Sequence, residues 1–180
     1  MPPDHAPIAT FDPVSILEVL QRFGVRFVVI GGIAAISQGS PLPTDDLDVT
    51  PARDEGNLRR LAGALRELEA RLRVPGDGVQ GVAFPLDEAM LSGAETWTLV
   101  TRLGDLDLAF APSGTRGYED LRRDATEVQL GDDPPVRALV ASLADVIRSK
   151  EAANRPKDRA QLPALRLALD MLGDRERGGP

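Results

Sequence analysis

Asp46 and Asp48 stand one residue apart near the end of the run VVIGGIAAISQGSPLPTDDLDVT, thirteen residues after the glycine pair Gly31 and Gly32. In an extended segment, residues i and i+2 share a face, so both carboxylates would leave one side of a sheet with their Cα atoms roughly 7 Å apart. Two hard oxygen ligands on one face suit Mg²⁺, which keeps several waters, takes one or two protein carboxylates and fills its other positions with substrate phosphates. Gly31 and Gly32 would let backbone N–H groups approach a triphosphate, and a helix opening there would add a favourable partial charge. Asp107, in GDLDLAF, could hold a second ion and accept the proton of an attacking hydroxyl; Asp105, on the same face of that segment, is its rival. Two ions about 4 Å apart would stabilise both the attacking and the leaving oxygen of an in-line displacement. Lys150, Arg155 and Lys157 would neutralise the triphosphate or the departing pyrophosphate, and Asp158 either joins that nucleotide-binding set or pairs with a neighbouring Arg. Thr44 would order the loop before Asp46 by hydrogen bonding.

Missing residue types narrow the chemistry further. The chain of 180 residues has no cysteine and one histidine, His5, in a Pro-rich N-terminal stretch. That removes a thiolate nucleophile, a Ser-His-Asp triad and a Cys/His zinc site. Carboxylates, hydroxyls, Lys and Arg must carry any reaction, which favours metal-assisted phosphoryl or nucleotidyl transfer over acyl transfer. The net charge of -7 argues against binding nucleic acid over the whole surface. A local basic patch remains: Arg148, Lys150, Arg155, Lys157 and Arg159 outnumber Glu151 and Asp158 in one late stretch. No apolar run reaches the length of a membrane span, and MPPDHAPIATFDP lacks a basic region followed by an apolar one. A cytoplasmic protein without a membrane partner is expected.

Several elements must position these residues. Asp12, Pro13, apolar Ile16, Leu17, Val19, Leu20 and Phe23, then Gly24, predict a capped helix. Phe27 to Ile30 reads as a buried strand, IAAISQ as a short helix opening on the glycine pair, and Leu47 to Thr50 as the next strand, beside the first. Leu58, Leu61, Leu65, Leu68 and Leu72 predict an amphipathic helix over Glu55 to Leu72. Val74 to Phe84 reads as a loop, PLDEAMLSG as a helical turn or two, and Glu95 to Phe110 as a hairpin turning at Leu103 and Gly104. Glu127 to Leu130 and Val136 to Val140 are further strands. Ser142 with Asp145 resembles a capping box opening a helix to about Asn154, and a last helix runs from Pro156 to about Leu172 before a polar tail. The expected organisation is a core over 1–140, a helical segment over 141–175 packed on it as one compact unit, and a tail over 176–180.

Strand, glycine turn, short helix, strand with D-x-D, long helix and a later acidic strand together resemble the nucleotidyltransferase superfamily with its polymerase-β-like fold, an α/β (α+β) architecture of a mixed sheet flanked by helices. Within it the chain resembles the AbiEii and MenT toxins of bacterial toxin-antitoxin systems through Gly31, Gly32, Thr44, Asp46, Asp48, GDLDLAF and RSKEAANRPKDRAQL, a likeness from about Val14 to Leu169. The resemblance implies two Mg²⁺ ions at Asp46, Asp48 and Asp107, NTP as substrate, and transfer of a nucleotide, with pyrimidines favoured, onto the 3′ acceptor end of tRNA, blocking aminoacylation and growth. It also implies an antitoxin partner covering the site and Thr44 as a regulatory phosphorylation target. Two positions depart from the pattern: Gly32 stands where many relatives carry Ser, and Leu42 where relatives often place Arg. An alternative acceptor is a protein hydroxyl or an aminoglycoside-like molecule, for which Asp105 with Glu127 or Asp132 could form an acidic pocket. A catalytically degenerate binding module is the second alternative.

Overall fold

In the computed structural model, which describes residues 10–76 and 80–177, the chain opens on helix α1 (Pro13–Arg22), starting where Asp12 accepts a hydrogen bond from Ser15 N at 3.0 Å and Pro13 stands in the first turn. Ile16, Leu17, Val19 and Leu20 make its buried face. Strand β1 (Phe27–Ile30) follows, then α2 (Gly31–Ile36) and β2 (Asp46–Pro51), antiparallel to β1. The expected strand pair and short helix are all present.

Helix α3 (Glu55–Glu67) is capped by Asp54 and buries Leu58, Leu61 and Leu65. It stops before Leu72, contrary to the heptad-like spacing of its leucines. Glu69 adopts a left-handed φ of 54°, Ala70 N donates to Leu65 O at 2.9 Å, and Arg71 and Leu72 become strand β3 (Arg71–Leu72), paired with β4. Leu68 is thus the last apolar residue of the helical face, while Leu72 pairs in register with Leu99: tertiary strand pairing overrides a local pattern that would have continued. Helix α4 (Glu88–Ser92) is the expected turn, and β4 (Thr96–Thr101) with β5 (Gly104–Ala109) is the expected hairpin. The loop between β3 and α4 includes a bridge between Leu72 and Val82.

A four-residue helix, α5 (Tyr118–Leu121), has no counterpart in the sequence reading. Strands β6 (Thr126–Leu130) and β7 (Val136–Val140) pair as an antiparallel hairpin. Helix α6 (Leu143–Ala153) starts at Ser142, whose hydroxyl accepts from Asp145 N at 3.1 Å, and ends at Asn154 in a left-handed conformation. Helix α7 (Pro156–Arg177) runs past Leu172 and two residues into the stretch expected to be tail; residues 178–180, like the N-terminal segment holding His5, lie outside the described residues.

The seven strands form one mixed sheet in the order β3-β4-β5-β2-β1-β7-β6. Two parallel pairings lie at its centre, β2 with β5 and β1 with β7. They bring the end of β1, the acidic stretch of β2 and the acidic stretch of β5 to neighbouring positions. Leu47, Val49, Leu99, Leu106 and Leu108 are fully buried beneath them, each contributing about 2 kcal/mol by apolar burial. That alternation drives Asp46, Asp48 and Asp107 to the other face. Among the described residues, no helix is long and apolar enough to cross a membrane.

Candidate active site

Central strand β2 places Asp48 opposite Ile30 on one side and opposite Asp107 on the other. Asp46 faces Asp105 in the same register. Side-chain direction then separates the two acids of β5. Asp105 forms an ion pair with Arg73, which follows β3, whereas Asp107 turns toward β2. One carboxylate oxygen from each of Asp46, Asp48 and Asp107 lies within 4.8 Å of the others, a set that can hold a metal ion. The third acid of the cluster is therefore Asp107 and not its rival. Thr44 orients the first: its hydroxyl donates to Asp46 Oδ1 at 2.8 Å and to Asp46 O at 3.3 Å.

The electrostatics of this cluster follow from burial and like charge. Burial, then the charges of Asp46 and Asp107, push the Asp48 carboxyl up to about 7, with Lys150 and Lys157 pulling weakly the other way. Burial and Asp46 likewise raise Asp107, opposed by Arg73, a hydrogen bond from Thr98 and Lys157. Three carboxylates so close, with desolvation disfavouring their charged forms, are relieved by a bound cation. The donor set is all oxygen, which fits a hard divalent ion.

Gly31 and Gly32 touch this cluster directly. Gly31 has φ +64°, and a Cβ there would overlap the Asp48 carboxylate. A Cβ on Gly32 would lie 2.5 Å from both Cβ and Oγ1 of Thr44. The glycine pair is thus required by the close approach of the backbone to the acid strand and its ordering threonine, whatever else it binds.

Facing the acids across a cavity of about 420 Å³ is the junction of α6 and α7. Asp158 is fully buried there. Arg155 donates to its Oδ2 through N at 3.2 Å and Nε at 2.7 Å, while Lys150 Nζ lies 3.5 Å from its Oδ1 and donates to Gln161 Oε1 at 2.8 Å. Burial alone would raise the Asp158 carboxyl, but the hydrogen bonds and charges of Arg155 and Lys150 win and hold it below the usual carboxylate range. Lys157 is exposed at the rim and forms no ion pair among the described residues.

No protein family matches the sequence, and no curated protein matches it either. Solved structures do. The lincosamide antibiotic adenylyltransferase LnuA, lincomycin-bound, superposes with a TM-score of 0.56 over 88% of this chain and 98% of its own, at 12% identity. ANT(2")-Ia in complex with adenylyl-2"-tobramycin gives 0.54 over 89% of this chain and 87% of its own, at 18% identity. A putative nucleotidyltransferase of Thermotoga maritima, TM1012, gives 0.53 over 88% and 96%, at 16% identity. The chain has the nucleotidyltransferase fold.

Within this nucleotidyltransferase fold, all ten residues singled out from the sequence line one cavity: Gly31, Gly32, Thr44, Asp46, Asp48 and Asp107 on the strand side, Lys150, Arg155, Lys157 and Asp158 on the helix side. Asp158 is held as the anchor of two cations, with both oxygens occupied. The suggested acidic pocket of Asp105 with Glu127 or Asp132 does not form. Glu127 lies on β6, at the edge of the sheet four strands from β5, and pairs with Arg137; Asp132 is exposed beyond the end of that strand. Sequence reasoning missed Arg73, Gln161 and Asp145, the last noted only as part of a helix cap. A polar residue in a loop or mid-helix carries no periodic signal of its own; only for Asp145 does position hint at more, one turn ahead of Ser149 and Lys150.

Proposed function

We propose that this protein is an enzyme transferring a nucleoside monophosphate from NTP to an acceptor hydroxyl, with Mg²⁺ as its metal. The observation that carries this reading is the convergence of Asp46, Asp48 and Asp107 on one point, opposite Lys150 across a single cavity. Asp46 and Asp48 would hold the ion against the α- and β-phosphates, and Asp107 would share in a second site. Bound there, Mg²⁺ neutralises the phosphates and makes the α-phosphorus more electrophilic. The acceptor oxygen forms its bond to the α-phosphorus as the bond to the β-phosphate's bridging oxygen breaks, pyrophosphate leaves, and the hydroxyl proton passes to Asp107. Burial and the charge of Asp46 raise the Asp107 carboxyl, which makes it a stronger proton acceptor than an ordinary carboxylate. Lys150, pinned by Asp158 and Gln161, and exposed Arg155 and Lys157 meet the negative charge of the triphosphate and of departing pyrophosphate.

For the acceptor we propose the 3′ end of tRNA, with pyrimidine nucleotides favoured and a cognate antitoxin covering the cavity, as in the AbiEii and MenT toxins that the sequence resembles. Supporting this, the exposed cations Arg155 and Lys157 stand at the cavity rim, where a single-stranded acceptor end would approach. Phosphorylation of Thr44 would remove its donor to Asp46 and add roughly two negative charges beside the acids, repelling NTP. A second reading is favoured by the net charge of -7, which suits a small hydroxylated or cationic acceptor better than a polyanion; the lincosamide and aminoglycoside enzymes of the same fold act on such molecules. Purified protein, Mg²⁺ and each α-labelled NTP, offered in separate reactions total tRNA, protein extract and aminoglycosides or lincosamides, tests both. Label in tRNA supports the first reading, label only in the small molecule the second, and no label in any pool with intact protein removes the catalytic reading.

A further inference from the structure

Both acids of β5 are placed to reach the metal cluster, and one of them stays out of it. Asp105 and Asp107 stand two residues apart on one face of the strand, and the parallel register sets Asp105 against Asp46 and Asp107 against Asp48. By backbone geometry either acid could join Asp46 and Asp48. The sheet therefore offers a second, latent set of three ligands, Asp46, Asp48 and Asp105, while the set that converges contains Asp107.

The difference lies on the other flank of β5. Across β4, Asp107 is opposite Thr98, which gives it a hydrogen bond, whereas Asp105 is opposite Val100, which has no side-chain donor. Burial does not hold Asp105 either: its side chain is 29% exposed, and its ion-pair partner among the described residues is Arg73. The short strand β3, where the helical leucine pattern breaks off, puts Arg73 there. Arg71 and Leu72 pair with Val100 and Leu99, and Arg73 N donates to Thr98 O at 2.9 Å, which carries the pairing one residue further. Residues directly opposite one another share a face, so the Arg73 side chain leaves on the side of Thr98 and Asp107 and reaches back across β4 to Asp105. A helix continued to Leu72 would give Arg73 no place in this register.

Resting on the nucleotidyl-transfer reading, we propose that Arg73 is a positioning residue that selects the metal-binding set: by pairing with Asp105 it keeps that carboxylate out of the cluster and leaves Asp107 as the acid of β5 that serves it. Without Arg73, Asp105 competes with Asp107 for a cation held by Asp46 and Asp48 and takes a coordination position that water otherwise fills. The effect is modest, because an ion pair this exposed is itself weak.

Two measurements on wild type, Arg73→Gln, Asp105→Asn and the double variant test this. Arg73 is 41% exposed, so each variant is expected to fold with the melting temperature of the wild type. The first measurement loads each protein with Mn²⁺ and counts ion-bound waters by water-proton relaxation. Arg73→Gln is expected to hold fewer waters than wild type, and the double variant the wild-type number. The second follows transfer from α-labelled CTP to total tRNA. Arg73→Gln is expected to lower kcat about five-fold with the KM for CTP unchanged, Asp105→Asn to stay within about two-fold of wild type, and the double variant to recover. Arg73→Lys, which keeps the charge, should hold both readouts near wild type. A loss in Arg73→Gln that Asp105→Asn does not rescue, a rescue without the change in water count, or no loss at all overturns the role of Arg73 and leaves nucleotidyl transfer standing. Where wild type labels no tRNA, the water count alone decides: unchanged waters in Arg73→Gln overturn the proposal. Wild type that takes up no Mn²⁺ overturns the nucleotidyl-transfer reading along with it.

Discussion

On the strand side of the cavity, Asp46, Asp48 and Asp107 share one face, and none of them forms an ion pair among the described residues. On the helix side, one fully buried acid, Asp158, is gripped by Lys150 and Arg155. The consequences are opposite: the carboxyl of Asp48 is pushed up to about 7, that of Asp158 is held below its usual range. The acid of the helix side is compensated by two cations and fixes their position, leaving that wall an excess of positive charge. On the strand side the charge of the acids is left uncompensated, and the fold itself supplies the rigidity that keeps three like charges together. The contrast teaches that the acid wall could take a cation from outside, while the acid of the opposite wall already has its own.

The largest expected effect follows from removing an acid of the strand wall. Asp48→Asn should lower nucleotidyl transfer by about a thousand-fold or more, since several kcal/mol of transition-state stabilisation depend on that charge. Its thermal stability at pH 8 should nevertheless equal or exceed that of the wild type, because like-charge repulsion is relieved. A variant that is both inactive and markedly less stable would break the comparison.

The helix wall should respond in the opposite sense. Asp158→Ala leaves Lys150, itself largely buried, without its counter-charge, and should cost about 3 kcal/mol of stability by denaturant unfolding. Unchanged stability would mean that Asp158 does not anchor the wall.

Stability against pH sharpens the contrast next. The folded state holds a proton on Asp48 up to about pH 7, whereas the unfolded chain releases it near pH 4. Between those values the folded form binds more protons, so stability should fall as pH rises through the window, by about 4 kcal/mol, and level off above 7. Asp48→Asn should flatten that slope, and MgCl₂ should reduce it by taking the proton's place. Asp158 works the other way: its stabilisation is present above pH 4 and lost as pH falls through the lowered value. A wild-type profile without a declining limb between pH 4 and 7 would remove the case for an uncompensated acid wall.

Gly32→Ala places a methyl 2.5 Å from Thr44 and should cost about 1–2 kcal/mol of stability, with loss of transfer as Thr44 and Asp46 are displaced. The smallest effect belongs to Lys157→Ala. As an exposed rim residue it should raise the KM for NTP a few-fold and leave the melting temperature unchanged.

Much of this site was legible from spacing. The period-two alternation of TDDLDV and GDLDLA buries Leu47, Val49, Leu106 and Leu108 and leaves the acids between them on the opposite face. Ser142 caps α6 as the sequence predicts, and all ten candidate residues meet in one cavity. The errors are equally specific. Leu72 continues a helical pattern but pairs as a strand, because β4 offers hydrogen bonds that the local sequence does not reveal. Glu127 and Asp132 looked available to the site until sheet order put them at the far edge.

The amino-acid sequence alone determined which faces are apolar, where helices begin and which strands carry acids, because those depend on residues a few positions apart. Only the tertiary structure decided that Asp107 and not Asp105 completes the triad, through the parallel register of β2 with β5 and the pairing of Asp105 with Arg73. It also decided that Asp158 is an anchor and that one oxygen of Asp145 is left without a donor. Those outcomes turn on burial and on partners distant in the chain, and a charge's environment exists only once the elements around it have packed.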